Sequence, residues 1–209
     1  WVTGSNTTET HPVTALKIKA AVRAGARLIV SDPRKIELTK FADLHLQPRT
    51  GTDVPLYNSL LHCLIRDDAV DRDFISARVE GFEEVRAVAE RHPPEYAESI
   101  TGVPAATIEA AARLIGDAEK TGFYWGLGLT EHTHGTETCL ALINLALATG
   151  NVGRRGTGLN PLRGQNNVQG ASDVGALPNF FSGYRPVDDP EARSLFEDAW
   201  GVTLPPAAG

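Results

Sequence analysis

Residues 157–184, TGLNPLRGQNNVQGASDVGALPNFFSGY, set one cation, Arg163, among the glycines Gly158, Gly164, Gly170, Gly175 and Gly183 and the amides Asn160, Gln165, Asn166, Asn167 and Gln169. Amides supply paired donors and acceptors, and glycine admits positive φ and close backbone approach. That composition suits a loop wrapped around a polar ligand. The apolar residues Leu159, Leu162, Val168, Val174, Leu177, Phe180 and Phe181 argue against disorder. The stretch has almost no apolar periodicity and reads as neither helix nor strand; a plain long surface loop is the competing reading.

Other polar clusters follow short apolar runs. GSNTTE at 4–9 sits at a strand-to-helix turn, where free amides and the positive end of a helix dipole attract anions. It is not GxGxxG, and N-capping by Ser or Thr explains it equally well. Ser31, Asp32 and Arg34 end the second run about 25 residues further on, where dinucleotide folds place an acidic residue against ribose or base. Arg34 suits a bidentate phosphate contact, although an Asx-Pro turn with a solvated Arg34 has the same sequence. Asp53 in Gly51-Thr52-Asp53 either caps the next helix or offers a carboxylate to a guanine edge, which donates from a ring N–H and an exocyclic amine. WGLGLTEH places Gly126 and Gly128, then Glu131 and His132, after a strand. His132 and His134 lack a third ligand nearby, so no metal site is expected in this chain.

The elements that must position these residues alternate in type. An apolar stub at 1–4 leads to a helix from Pro12, at a first helical position, to about Ala24. Its positions Val13, Leu16, Ile18, Ala21 and Val22 are expected to face inward, with Lys17, Lys19 and Arg23 outward and Gly25 as the stop. RLIV at 27–30 and DLHL at 43–46 read as buried strands, followed by a helix over 54–65. Helical spacing recurs over 71–80, 82–91 and 104–118, broken by Gly81, His92-Pro93-Pro94 and Gly102. GFYWG at 122–126 restores a strand, and a helix over 136–149 ends at Gly150. Beyond Asn151 only 190–200 reads as helix. The alternation implies an α/β fold, a Rossmann-like parallel sheet with helices on both faces, whose ligands bind outside the carboxyl ends of the strands. Residues 1–160 are expected to form that domain and 161–209 an active-site loop leading to a further domain.

The 209 residues carry a net charge of −6, which speaks against a nucleic-acid partner. No apolar run approaches the ~20 residues of a membrane span, and no secretory signal is present. Cys63 and Cys139 lie in apolar helical patterns, without CxxC spacing, and read as small buried hydrophobes. The chain opens on Trp1 inside a strand-like stub and holds no methionine, so an excised internal segment is expected.

LRGQNNVQGASDVGALPNFFSGY resembles the catalytic-subunit signature of molybdopterin-dependent formate dehydrogenases, within the molybdopterin guanine dinucleotide oxidoreductases. The likeness extends to GSNTTETHPV at 4–13, SDPRKIE at 31–37, ADLHL at 42–46, GTD at 51–53, WGLGLTEHTHG at 125–135 and NLALATGNVGRRGTGLNPLRGQNNVQG at 144–170. GTD and DPR are broad-family features, whereas RGQNNVQG marks the formate dehydrogenase branch. The resemblance implies reversible oxidation of formate to carbon dioxide at a molybdenum or tungsten centre held by a bis-molybdopterin guanine dinucleotide (bis-MGD) cofactor. Electrons would leave through iron–sulfur clusters, including a 4Fe-4S cluster, to NAD on a partner subunit. The cluster cysteines and the cysteine or selenocysteine on the metal would lie N-terminal to Trp1, the remaining domains of the subunit would complete the enzyme, and the fragment alone would be inactive.

By the same resemblance Arg163 orients formate, Gln165 hydrogen-bonds the pterin beside Gly164, and Gly4, Asn6, Glu9, Ser31, Asp32, Arg34, Gly51, Thr52, Asp53, Gly126, Leu127, Gly128 and Glu131 contact the dinucleotide. TEHTHG is nearer the NAD-linked enzymes, which implies a cytoplasmic location. Two alternatives stand beside this one: another molybdopterin oxidoreductase such as a nitrate reductase, and a non-catalytic nucleotide-binding or assembly module.

Overall fold

Short runs of β-branched and aromatic residues form the centre of the structure, a computed structural model that describes residues 1–206. The strands β1 (Val2–Thr3), β2 (Ile29–Ser31), β3 (Leu44–Leu46), β4 (Gly122–Trp125) and β5 (Gly158–Pro161) make one sheet in the order β3-β2-β1-β4-β5. Every pairing is parallel. Side chains alternate between the two faces, as a pleated strand requires. Ile29, Phe123 and Trp125 enter one buried cluster, while Val2, Val30 and, partly buried, Tyr124 enter the other.

Helices cover both faces. On one lies α2 (Pro12–Arg23), after the single turn α1 (Thr7–Thr10); its Ile18 and Val22 pack on Val2, Leu28 and Val30. On the other lie α3 (Asp53–Arg66), α4 (Arg72–Arg78), α5 (Phe82–Ala89), α6 (Pro94–Thr101), α7 (Ala105–Gly116) and, beyond the short α8 (Leu127–Thr130), α9 (Gly135–Ala148). The α3 residues Leu56, Leu60, Leu61 and Leu64 are buried against Ile108 and Ile115 of α7 and Leu142 and Leu145 of α9. Each such side chain is worth about 1.5–3 kcal/mol of burial. Cys63 is fully buried in that cluster, and burial pushes its thiol up to about 11.

Three expectations are corrected. First, α2 does not bury Val13 and Leu16, which are 70% and 64% exposed. Ala15 is the buried residue instead, and Lys19 turns inward to Glu37, 2.7 Å away, and over the Phe41 ring. The 3-10 turn Glu37–Phe41 supplies these partners, which a helix-only pattern does not contain. Second, the chain between Asn151 and Pro190 is not loop throughout, since it holds β5 and, further on, a short helix and a strand pair. β5 pairs with β4, its Asn160 amide donates to the Phe123 and Gly158 carbonyls, and Pro161 is tolerated because the strand is an edge. Third, Pro93-Pro94 does more than break a helix: Pro93 caps α6 and Pro94 is its first residue.

Two compact units divide the chain, Trp1–Leu162 and the residues from Arg163 onward. The second holds α10 (Val168–Asp173), the antiparallel pair β6 (Phe180–Phe181) and β7 (Arg185–Pro186), and α11 (Pro190–Trp200), capped by Asp189. Phe181, Phe196 and Trp200 are its aromatic centre, with ring centroids 4.6–6.0 Å apart. Among the described residues no helix is long and apolar enough to cross a membrane.

Candidate functional site

The strand order reverses direction between β1 and β4, the point of a parallel sheet at whose carboxyl end ligands bind in open α/β folds. Three of the expected residues meet there. The Gly4 amide donates to the Ser31 carbonyl at 3.2 Å, and the Gly128 amide donates to the Gly4 carbonyl at 3.0 Å. A Cβ on Gly4 would lie 2.6 Å from the Leu129 nitrogen, one on Gly126 2.7 Å from the Gly4 oxygen, and one on Gly128 2.8 Å from the Gly4 Cα. The crossing accepts no side chain, which explains three glycines where a single-glycine turn would have sufficed.

Next to it the end of β2 is polar and buried. Ser31 is 1% exposed, and its hydroxyl has no hydrogen-bond partner among the described residues. The buried Asp32 carboxylate accepts from the Arg34 amide at 2.8 Å and faces the Arg34 Nε at 3.5 Å. This is the Asx-Pro turn, with the Arg34 side chain 67% exposed; the Asp32 carbonyl also meets Nε2 of His45 at 2.9 Å. Asn6 stands at the cap position of α1, its side-chain oxygen accepting from Thr8, and Glu9 is exposed on that turn.

The third wall is the turn 49–53. Thr52 donates from its amide and its hydroxyl to the Arg49 carbonyl, and Gly51 takes φ +79°. Asp53 starts α3 as its first residue. Burial holds the Asp53 carboxyl above the ordinary carboxylate range, partly offset by His132, by its own backbone amide and by His134, and reinforced by Asp32. The structure thus brings Asp53, Asp32, His132 and His134 into one electrostatic neighbourhood. Leu127 and Glu131, on the turn α8 and at its end, are exposed. Sequence reasoning missed His134 as a site residue: its Nε2 lies 3.0 Å from the Gly51 carbonyl. The histidine spacing drew attention only to metals, and among the described residues no group of three or more His, Cys, Asp or Glu is placed to hold one.

Arg163, Gly164 and Gln165 open the second unit and are exposed. Asn167 there takes φ +48°, and Tyr184 donates to Asp173 while accepting from Gln169.

A partnerless buried hydroxyl, a desolvated carboxylate and a backbone crossing without side chains together fit a nucleotide-bearing cofactor. Such a group would find acceptors at Asp53 and Ser31 and room for close approach at the glycine backbone.

The chain matches the family model described as "Molybdopterin oxidoreductase" over residues 1–202. It is 45% identical over 208 residues to a protein of Methanocaldococcus jannaschii named "F420-dependent formate dehydrogenase subunit alpha", covering 100% of this chain and 31% of that protein. It is likewise 45% identical over 207 residues to "Formate dehydrogenase H" of Escherichia coli, covering 99% of this chain and 29% of that one. The chain therefore spans under a third of the length of these relatives. In structure it resembles acetylene hydratase from Pelobacter acetylenicus with a TM-score of 0.71 and 26% identity, over 76% of this chain and 22% of that one. Sequence match and parallel five-stranded architecture agree: this chain belongs to the molybdopterin oxidoreductase family.

Proposed function

We propose that this chain is part of the catalytic subunit of a formate dehydrogenase. Residues 1–160 would hold one guanine dinucleotide arm of a bis-MGD cofactor, and the segment 161–209 would present Arg163 to the substrate. The observation that carries this reading is the 45% identity over essentially the whole chain to two proteins named formate dehydrogenases. The fold alone would not suffice, since a protein named as a hydratase shares it.

In this reading Asp53 accepts from the guanine ring N–H and exocyclic amine, Ser31 and Asp32 face the ribose or base, Arg34 pairs with a phosphate, and Gly4, Gly126 and Gly128 admit the dinucleotide to the backbone. Asn6, Glu9, Arg34, Gly51, Thr52, Leu127 and Glu131 line the same edge, and Gln165 beside Gly164 hydrogen-bonds the pterin. The bound cofactor, with molybdenum or tungsten, supplies the two-electron redox step. Arg163 contributes geometry: its planar fork holds a small carboxylate in one orientation, while formate gives up two electrons and one proton to become carbon dioxide. Electrons would then pass through iron–sulfur clusters, a 4Fe-4S centre among them, to NAD on a partner subunit in the cytoplasm. F420 is the second acceptor to test, because the methanogen relative carries it in its name.

The test is anaerobic purification of the full-length protein, with metal and released GMP quantified, followed by formate-dependent dye reduction and acceptor assays. Formate oxidation with one metal and two guanine nucleotides per subunit is expected. A fully loaded protein inert to formate would overturn the assignment.

A further inference from the structure

The helix α9 begins where the backbone has no freedom. A Cβ on Gly135 would overlap the Thr130 carbonyl, so the end of α8 and the start of α9 are pressed together. His134, at the cap of α9, accepts on its carbonyl from both the amide and the hydroxyl of Thr138, at 3.0 and 2.9 Å. Behind it the helix is buried through Thr138, Ala141, Leu142 and Leu145. From this fixed base the His134 imidazole reaches a turn 83 positions away in sequence, and Nε2 donates to the Gly51 carbonyl. A carbonyl only accepts, so that nitrogen carries the proton.

The neighbouring imidazole continues the connection. His132 stacks on His134, with centroids 5.9 Å apart and planes 23° apart, and its Nε2 donates to the Gly128 carbonyl at 2.9 Å. Gly128 in turn donates to Gly4. Two hydrogen bonds, joined by the adjacent imidazoles, therefore connect the glycine crossing to the turn that carries Asp53. That turn has a second anchor: Arg49 donates from its amide to the Thr101 carbonyl and from its guanidinium to the Ser99 and Ile100 carbonyls of α6. His134 thus ties the turn to the α8–α9 junction, while Arg49 ties it to α6.

We propose that His134 is a positioning residue that holds the Asp53 carboxylate in register with the Gly4–Gly128 crossing, and so sets the preference of the nucleotide site for guanine. The inference rests on the dinucleotide reading above. Guanine needs two donors aligned on one carboxylate, so a turn that rotates loses guanine selectively, whereas adenine, which cannot make that pair, is little affected.

The test uses the full-length protein freed of cofactor, with GMP and AMP as probes in calorimetry. His134→Leu, which removes the donor at similar volume, is expected to weaken GMP about five- to tenfold, the worth of one hydrogen bond, and AMP less than about twofold. His134→Gln, which returns an N–H, should bring GMP back to within about threefold of wild type. Combining His134→Leu with Asp53→Asn should cost no more than Asp53→Asn alone, because both act through one carboxylate. Equal losses for GMP and AMP, an equally poor His134→Gln, or additive losses would each overturn the positioning role. If Asp53→Asn itself leaves the guanine preference intact, the dinucleotide reading fails instead; if that preference depends on Asp53 but survives His134→Leu, only the present proposal fails.

Discussion

Gly4 and Gly128 meet main chain to main chain: the Gly128 amide donates to the Gly4 carbonyl at 3.0 Å, and a Cβ on either would lie within 2.8 Å of backbone atoms of the other's loop. Backbone cannot give way as the tip of a flexible side chain can. This contact fixes the spacing of the β1 and β4 loops at the point where the strand order reverses.

Alanine at this contact should therefore be costly. Gly128→Ala is expected to destabilise by about 1–3 kcal/mol, as overpacking does. Gly4→Ala should cost roughly 1–2 kcal/mol more, because Gly4 has φ +54°, where a Cβ is strained. Gly164→Ala, with nothing within 4 Å of its Cβ, should change stability by less than about 0.5 kcal/mol. Urea titration of the full-length variants compares them; equal midpoints for Gly128→Ala and Gly164→Ala would refute the tight crossing.

Ser31→Ala separates folding from binding. The Ser31 hydroxyl is buried with no hydrogen-bond partner among the described residues, so its removal should leave the cofactor-free protein as stable as wild type or slightly more so. If the cofactor completes that hydrogen bond, nucleotide affinity should drop about three- to tenfold. Calorimetry with and without nucleotide reads both; a destabilised cofactor-free protein with unchanged affinity contradicts the assignment.

Asp53 should show the conflict between stability and binding as a pH dependence. Burial raises its folded pKa, so the folded state holds the proton to higher pH than the unfolded chain does. Stability then falls as pH rises from the unfolded value near ~3.9 through the raised folded value, and the penalty persists at neutral pH. Asp53→Asn should raise the Tm of the cofactor-free protein at pH 7, a gain that disappears as pH falls toward ~4, while guanine binding is lost. A Tm difference independent of pH would show that charge is not the cause.

Arg163→Lys in the complete enzyme keeps the charge and removes the planar fork. One charge-assisted hydrogen bond is worth ~1.5–3 kcal/mol, so kcat/KM for formate should fall about ten- to a hundredfold with metal and pterin content unchanged. Arg155→Lys, at an exposed position in the turn before β5, should change it less than about twofold, because surface charges contribute little. Steady-state kinetics on both variants decides whether the substrate-orienting cation has been correctly identified.

The order of the first four strands, the parallel sheet and the edge on which polar loops gather were legible in the chain. Apolar runs such as RLIV and GFYWG, and helical spacing over 54–65 and 136–149, depend on periods local to the sequence. β5 was not legible, because Gly158, Asn160 and Pro161 are poor strand formers that pair only where β4 offers a free edge. Nor was the outward turn of Val13 and Leu16, since the partner that draws Lys19 inward is Glu37, 18 positions away.

At the candidate site the sequence by itself determined which residue types are present: the glycines, Asp32, Asp53, the histidines and the amides around Arg163. Only the tertiary structure decided that the Gly4, Gly126 and Gly128 backbones touch, that the Ser31 hydroxyl has no hydrogen-bond partner among the described residues, and that His134 donates to the Gly51 carbonyl. The physical reason is that hydrogen bonds and excluded volume act over a few ångströms in space, whatever the distance along the chain. A contact spanning 83 residues leaves no periodicity to read, because nothing local to either end requires the other.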